Sequence, residues 1–117
     1  MRHHRSKSKL GRKSGPRRAL LKSLARNLIL AGSITTTESR AKELRPFLEK
    51  LTTRARGADI HSRRILEARL GDTDAVRILI EKIAPKFDMV SGGYLRITKL
   101  GMRKSDGSRR AVISFTR

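Results

Sequence analysis

Residues 33–57, SITTTESRAKELRPFLEKLTTRARG, decide the fold because a strand pattern gives way to a helix pattern within them. The β-branched run 33–37 favours a short strand, and Thr37 followed by Glu38 is typical of a helix start. From Glu38 to about Arg56, apolar residues recur at spacings of three and four, which predicts a helix docked on other helices. This buried seam comprises Ala41, Leu44, Leu48, Leu51 and Ala55. Pro46 predicts a kink in this helix, and Gly57 its end.

Three further helices are predicted around this one. The first runs from Pro16 to Ala31, with Gly32 as its C-terminal cap. Two shorter helices, from about Asp59 to Leu70 and from Asp74 to Ala84, are stopped by Gly71 and Pro85. Their predicted buried residues are Leu20, Leu21, Leu24, Ala25 and Leu28, then Ile60, Ile65 and Leu66, then Val76, Leu79, Ile80 and Ile83.

The pattern changes to a period of two beyond Phe87. Strands are predicted at 94–100 and 111–116, with Asp106-Gly107 in the turn between them. The predicted fold is α+β: a small mixed or antiparallel sheet, with the short strand near 34–37 and this hairpin, packed on four helices. A basic extended N-terminal arm (1–15) precedes a single globular domain (16–117).

Charge is the strongest compositional signal. The chain has 29 Lys and Arg residues against 10 acidic ones, a net charge of +19. Residues 1–37 carry ten basic and no acidic groups, residues 38–91 twelve and nine, and residues 92–117 seven and one. A field this one-sided is costly unless phosphates neutralise it, so the two basic ends predict nucleic-acid contacts.

The first basic end is the segment 1–18, MRHHRSKSKLGRKSGPRR, which has no acidic residue. Its charges repel one another, so we expect it to be disordered until it meets a polyanion. A stripe of Arg18, Lys22 and Arg26 extends it along the first helix. The second basic end is the hairpin connection, where like charges crowd together.

The predicted RNA-binding residues are therefore Arg2, His3, Arg5, Lys7, Lys9, Arg12, Lys13, Arg17, Arg18, Lys22, Arg26, Arg63, Arg64, Arg96, Lys99, Arg103, Lys104, Arg109 and Arg110. On the third helix, Arg63 and Arg64, like Arg69, fit a partner contact and a solvated face equally well.

Other function classes find little support. The chain has no Cys, which excludes disulfides, thiolate zinc sites and cysteine nucleophiles. Its three His residues, His3, His4 and His61, match no metal-ligand spacing, and Gly92-Gly93 lacks the setting of a phosphate-binding loop. We therefore expect no enzyme activity, metal, cofactor or small-molecule substrate.

A membrane partner is also disfavoured, because no apolar run approaches the roughly 18 residues that a span requires. An organellar transit peptide is an open alternative for the N-terminus, although 1–18 has no apolar face.

Recognition of backbone and shape is favoured over base reading. Four aromatic residues offer few stacking platforms, and no recognition helix stands out. If roughly 6 to 10 phosphates are contacted, affinity should fall by about three to five orders of magnitude between 50 and 200 mM salt.

Four short motifs lie in register along the chain. They are Met1-Arg2-His3; Lys9-Leu10-Gly11-Arg12; Thr36-Thr37 followed by Ala41-Lys42-Glu43-Leu44-Arg45-Pro46; and Gly92-Gly93-Tyr94 with Arg96-Ile97 and Lys99. Together they resemble the family of protein seventeen of the bacterial large ribosomal subunit over nearly the whole chain. His4, the turn 105–110 and the terminal Arg117 depart from the family pattern.

The resemblance implies a non-catalytic structural protein that binds large-subunit ribosomal RNA in the cytoplasmic ribosome. Its implied partners are that RNA and neighbouring large-subunit proteins near the polypeptide exit region, with no homo-oligomer expected. The RNA-binding segments carried over are the arm, Arg2 to Arg18, and the hairpin, Arg96 to Arg110. A free nucleoid-type protein or RNA chaperone is the alternative that the same charge allows.

Overall fold

The computed structural model describes residues 14–90, 92–102 and 104–117, and these form four helices and one three-stranded sheet. The elements are α1 (Ser14–Ala31), β1 (Ser33–Thr37), α2 (Glu38–Ala55), α3 (Ile60–Leu70), α4 (Thr73–Ile78), β2 (Leu95–Met102) and β3 (Arg109–Phe115). The predicted α+β class is confirmed. The disorder predicted for segment 1–18 is wrong for residues 14–18, which lie in the first turns of α1. Residues 1–13 lie outside the described ranges.

Three helix boundaries follow the predicted capping residues, whereas α1 begins at Ser14, two residues before the predicted start at Pro16. Thr37 caps α2, its hydroxyl accepting a 3.3 Å hydrogen bond from the Arg40 amide. Gly32 (φ +86°) and Gly71 (φ +67°) adopt the left-handed conformation that ends α1 and α3, where a side chain would be strained. Asp59 lies just before α3 as its cap, and α2 runs unbroken through Pro46.

The sheet is antiparallel, with strand order β1-β3-β2. Ile34 of β1 and Ile97 of β2 both lie opposite Ile113 of β3, so one face is apolar and packs against α2. A bulge between Lys99 and Gly101 interrupts the β2–β3 ladder. Both hairpin strands extend closer to the turn than the sequence predicts.

The core lies between this sheet face and the four helices. The whole predicted seam of α2 is buried, together with Ala25 and Leu28 of α1. Phe87 and Tyr94 are fully buried in an edge-to-face arrangement, with ring centroids 5.0 Å apart. Helix and sheet therefore share a single apolar cluster.

The prediction of a buried Ile60 is wrong. Its side chain is 73% exposed, whereas α3 buries Leu66, as predicted, and also Leu70. Ile60 precedes Leu66 by six residues, which places it roughly 120° away around the helix. It therefore points away from the core.

The segment predicted as one helix over 74–84 is not uniformly α-helical. The α-helix ends at Ile78, a π-helical turn covers Leu79–Ile83, and a 3₁₀ turn, Ala84–Phe87, contains Pro85. The sequence predicted that Pro85 stops this helix, but the helical path continues through Pro85 in the 3₁₀ turn. Proline has no N–H and would crowd the carbonyl four residues earlier. The Ala84 amide bonds five residues back, to the Leu79 carbonyl, which widens the backbone before the proline.

None of the described helices combines the length and the apolar character that crossing a lipid bilayer would require.

Candidate nucleic-acid interface

The hairpin of β2 and β3 carries predicted cations on both faces of the sheet. Lys99 lies opposite Ala111, and Arg109 is two residues from Ala111, so both share the face that packs against α2. Arg96 and Arg110 lie on the opposite face. All four side chains are exposed. The structure therefore divides the predicted hairpin cations between two directions.

A carboxylate organises the cations on the α2 side. Glu38, in the first turn of α2, has a side chain only 11% exposed, and its Oε1 lies 3.0 Å from Lys42 Nζ and 3.6 Å from Lys99 Nζ. The hydrogen bond from Lys42 lowers the pKa of Glu38 most, and the charges of Lys99, Lys42 and Arg109 lower it further. Burial opposes this shift. Three cations around one carboxylate leave an excess of two positive charges.

Three cations that the sequence prediction missed join this region from α2. Arg40 and Lys42 line a cavity with Arg109, and Lys42 and Arg45 line an adjacent one with Lys99. We call these five residues the hairpin surface. The α2 cations were missed because residues 38–91 are nearly balanced in charge. The sequence did contain one indication of these cations: Arg40, Lys42 and Arg45 lie outside the buried seam of α2, so they are expected on its exposed side.

The predicted stripe on α1 is only partly open. Of the stripe residues, Arg18 is exposed, whereas Lys22 and Arg26 are half-buried; the predicted contact Arg17, outside the stripe, is also half-buried. The Lys22 ammonium lies beside Gly71, which ends α3. A Cβ atom placed on Gly71 would be 4.0 Å from Lys22 Nζ. A cation at a helix C-terminus is electrostatically favourable. Lys22 therefore has a structural contact within the body.

The remaining predicted residues are not assembled into one site. On α3, Arg63 is half-buried and Arg64 is exposed; Lys104 is exposed in the hairpin turn. The residues Arg2, His3, Arg5, Lys7, Lys9, Arg12, Lys13 and Arg103 lie outside the described ranges.

The Gly92-Gly93-Tyr94 motif serves packing. Tyr94 is 1% exposed, and its hydroxyl accepts hydrogen bonds from Thr53 Oγ1 at 3.1 Å and from an Arg56 guanidinium nitrogen at 3.0 Å. Its amide donates to Glu49 Oε1 at 3.0 Å. The hydrogen bonds from Thr53 and then Arg56 lower the pKa of Tyr94 despite its burial. This junction was not predicted, because its members are distant in sequence.

The described residues offer no centre for catalysis by a metal. No group of three or more His, Asp or Glu side chains converges there, and His61 is exposed at the start of α3. The fold and the hairpin surface define a class of small, basic α+β proteins with exposed cations as their principal chemical feature.

Comparison with known proteins identifies the family. The model of a family described as ribosomal protein L17 matches residues 20–116. The chain is 41% identical over 117 residues to Large ribosomal subunit protein bL17 of Coprothermobacter proteolyticus, covering 100% of both chains. The protein of the same name from Akkermansia muciniphila is 50% identical over 115 residues, 98% of this chain and 85% of that one. The one from Gemmatimonas aurantiaca is 46% identical over 115 residues, 98% of both. The chain belongs to the ribosomal protein L17 family.

This membership confirms the predicted resemblance and the non-enzymatic role. The chain is a structural ribosomal protein that acts in translation, in the cytoplasmic ribosome, in association with ribosomal RNA and other ribosomal proteins.

Proposed function

We propose that this chain is a structural constituent of the large ribosomal subunit that binds its RNA through the basic arm and the basic hairpin, and so supports subunit assembly. The observation that carries this proposal is the hairpin surface. There, cations from α2 and from both hairpin strands surround the buried carboxylate of Glu38.

The chemistry of this surface suits phosphate groups. Lys and Arg side chains neutralise phosphates without reading sequence. All four aromatic side chains are buried or half-buried, so none is fully open for base stacking. These observations support contact with the RNA backbone over contact with bases.

The arm is the second part of the proposal. Residues 1–13 act as an extension that orders on RNA, and the folded body, which begins with α1 at Ser14, anchors it. In keeping with the family resemblance, the partners are large-subunit RNA and neighbouring proteins near the polypeptide exit region.

The test is sucrose-gradient fractionation of bacterial cells that express the full-length tagged chain, in moderate salt. We expect the chain to sediment with large subunits. The hairpin-surface variant Arg45→Gln/Lys99→Gln/Arg109→Gln should lose most of this association, because three exposed cations of that surface are removed.

The matched control is Lys82→Gln/Lys86→Gln/Arg117→Gln, which removes the same charge at other exposed positions. The control should sediment like the unaltered chain. Sedimentation of the unaltered chain with free nucleic acid, or at the top of the gradient, would overturn the proposal.

A further inference from the structure

A basic groove, separate from the hairpin surface, lies between α2 and α3. From the C-terminal half of α2 it is lined by Lys50, Leu51, Thr53 and Arg54, and from α3 by Ser62, Ile65 and Arg69. None of these residues belongs to the hairpin surface, which uses the N-terminal half of α2.

The three cations of this groove are uncompensated. Lys50, Arg54 and Arg69 are exposed, and no carboxylate lines the groove in the part of the chain that the structure describes. Within the same residues, none of the three forms an ion pair. Arg77 on α4 differs, since it lies 3.9 Å from both Asp74 and Glu81.

The arrangement of the cations suits an extended anion. Lys50 and Arg54 are one helical turn apart and therefore share a side of α2, and Arg69 faces the groove from α3. A chain of phosphates can contact cations on both walls at once.

The floor of the groove offers little to an apolar partner. Leu51 is only 5% exposed and Ile65 is half-buried. A protein that docked here would bury little apolar surface, whereas interfaces between proteins have an apolar core. Charge complementarity therefore favours RNA as the occupant.

We propose that the groove between α2 and α3 binds the phosphodiester backbone of ribosomal RNA through Lys50, Arg54 and Arg69, as a contact separate from the hairpin surface. The proposal rests on the proposed RNA-binding function and deepens it. Two contacts at opposite halves of α2 allow the protein to hold two RNA segments in a fixed relation.

The test measures binding of the purified full-length chain to RNA extracted from bacterial large subunits, across a series of KCl concentrations. For Lys50→Gln/Arg54→Gln/Arg69→Gln, the slope of log affinity against log salt should become shallower by about 2 to 3. At 150 mM salt this corresponds to a loss of affinity on the order of 100-fold.

The control is again Lys82→Gln/Lys86→Gln/Arg117→Gln, whose slope should change by less than about 1. Circular dichroism checks that each variant is folded. If the triple variant is unfolded, Lys50→Gln and Arg54→Gln, both at exposed helix positions, are tested singly. Each should reduce the slope by about 1.

The outcomes separate this inference from the proposed function. If the unaltered chain shows no salt-dependent binding to this RNA, the proposed function fails. If it binds and the groove variant behaves like the control, only the groove proposal is overturned. A groove variant that binds RNA like the control but no longer enters large subunits would assign the groove to a protein partner, which also overturns it.

Discussion

At the scale of single residues, Glu38 joins the start of α2 to the hairpin. Its carboxylate sits at the positive end of the helix, which favours a negative charge, and it contacts Lys42 and Lys99. Lys42 is four residues along α2, whereas Lys99 belongs to β2. The same carboxylate therefore neutralises local repulsion and fixes the hairpin relative to α2.

We predict that Glu38→Gln lowers stability at neutral pH but not in acid. The folded state depresses the pKa of Glu38 below its usual 4.5. Its stabilising contribution is therefore complete above pH 4.5 and is lost as the pH falls through the folded value. Thermal midpoints of variant and unaltered chain should differ at pH 7, and the difference should shrink as the pH is lowered well below 4.5.

Glu81→Gln is the control for this prediction. It removes the same charge from an exposed side chain whose ion-pair contact, with Arg77, is 3.9 Å long. It should leave the pH dependence of the midpoint nearly unchanged. A Glu38→Gln variant that is as stable as the unaltered chain at pH 7 would show that the carboxylate does not fix the hairpin.

At the scale of elements, Tyr94 holds α2 against the start of β2. Its ring packs on Phe87, and its hydroxyl accepts hydrogen bonds from Thr53 in the last turn of α2 and from Arg56, the residue just after α2. The Arg56 guanidinium also donates to the Asp88 carbonyl at 2.8 Å. The segment between α4 and β2 is thereby tied to α2.

We predict that Tyr94→Phe destabilises the fold by about 1–2 kcal/mol, because two donors lose their acceptor while the ring contact remains. Urea unfolding measures this loss. Tyr94 is also the chain's single tyrosine, so ultraviolet titration of the unaltered chain reports it alone. The titration midpoint should lie below 10.0. Unchanged stability of the variant, or a midpoint above 10.0, would contradict this account.

The elements that the sequence predicted best are those with local signals. Thr37 acts through its side-chain hydroxyl and Gly32 and Gly71 through their own backbone, each within one turn, so these caps could be predicted without a tertiary structure. The π-helical turn before Pro85 could not, because it depends on how the last turns adapt to a proline within a packed helix. Ile60 was misassigned because apolar character alone does not determine which side of a short helix is buried.

At the scale of the whole molecule, charge predicted a basic hairpin but not its geometry. The predicted hairpin residues divide between two faces of the sheet, and Arg40, Lys42 and Arg45 join only one of them. Because successive side chains of a strand point to opposite faces of the sheet, the sequence shows which residues share a face. The helix that lies beside a given face depends on tertiary packing, which is why the α2 cations and the groove with α3 were missed.

The arm and the body should be separable. The described body has its own core of helices and sheet, whereas residues 1–13 contain six Lys or Arg side chains and no acid. We predict that a chain lacking residues 1–13 unfolds within about 4 °C of the full-length protein, less than the shift that about 1 kcal/mol produces. The same chain should fail to remain in large subunits on a sucrose gradient, because the arm's phosphate contacts are gone. A second variant keeps the length of the arm but replaces its six cations with Gln. If the charge of the arm binds the RNA, this variant should also fail to remain in large subunits. Retention of either variant in large subunits would show that the arm is not an RNA contact. A substantially lower midpoint for the shortened chain, measured free of RNA, would show instead that the arm belongs to the core.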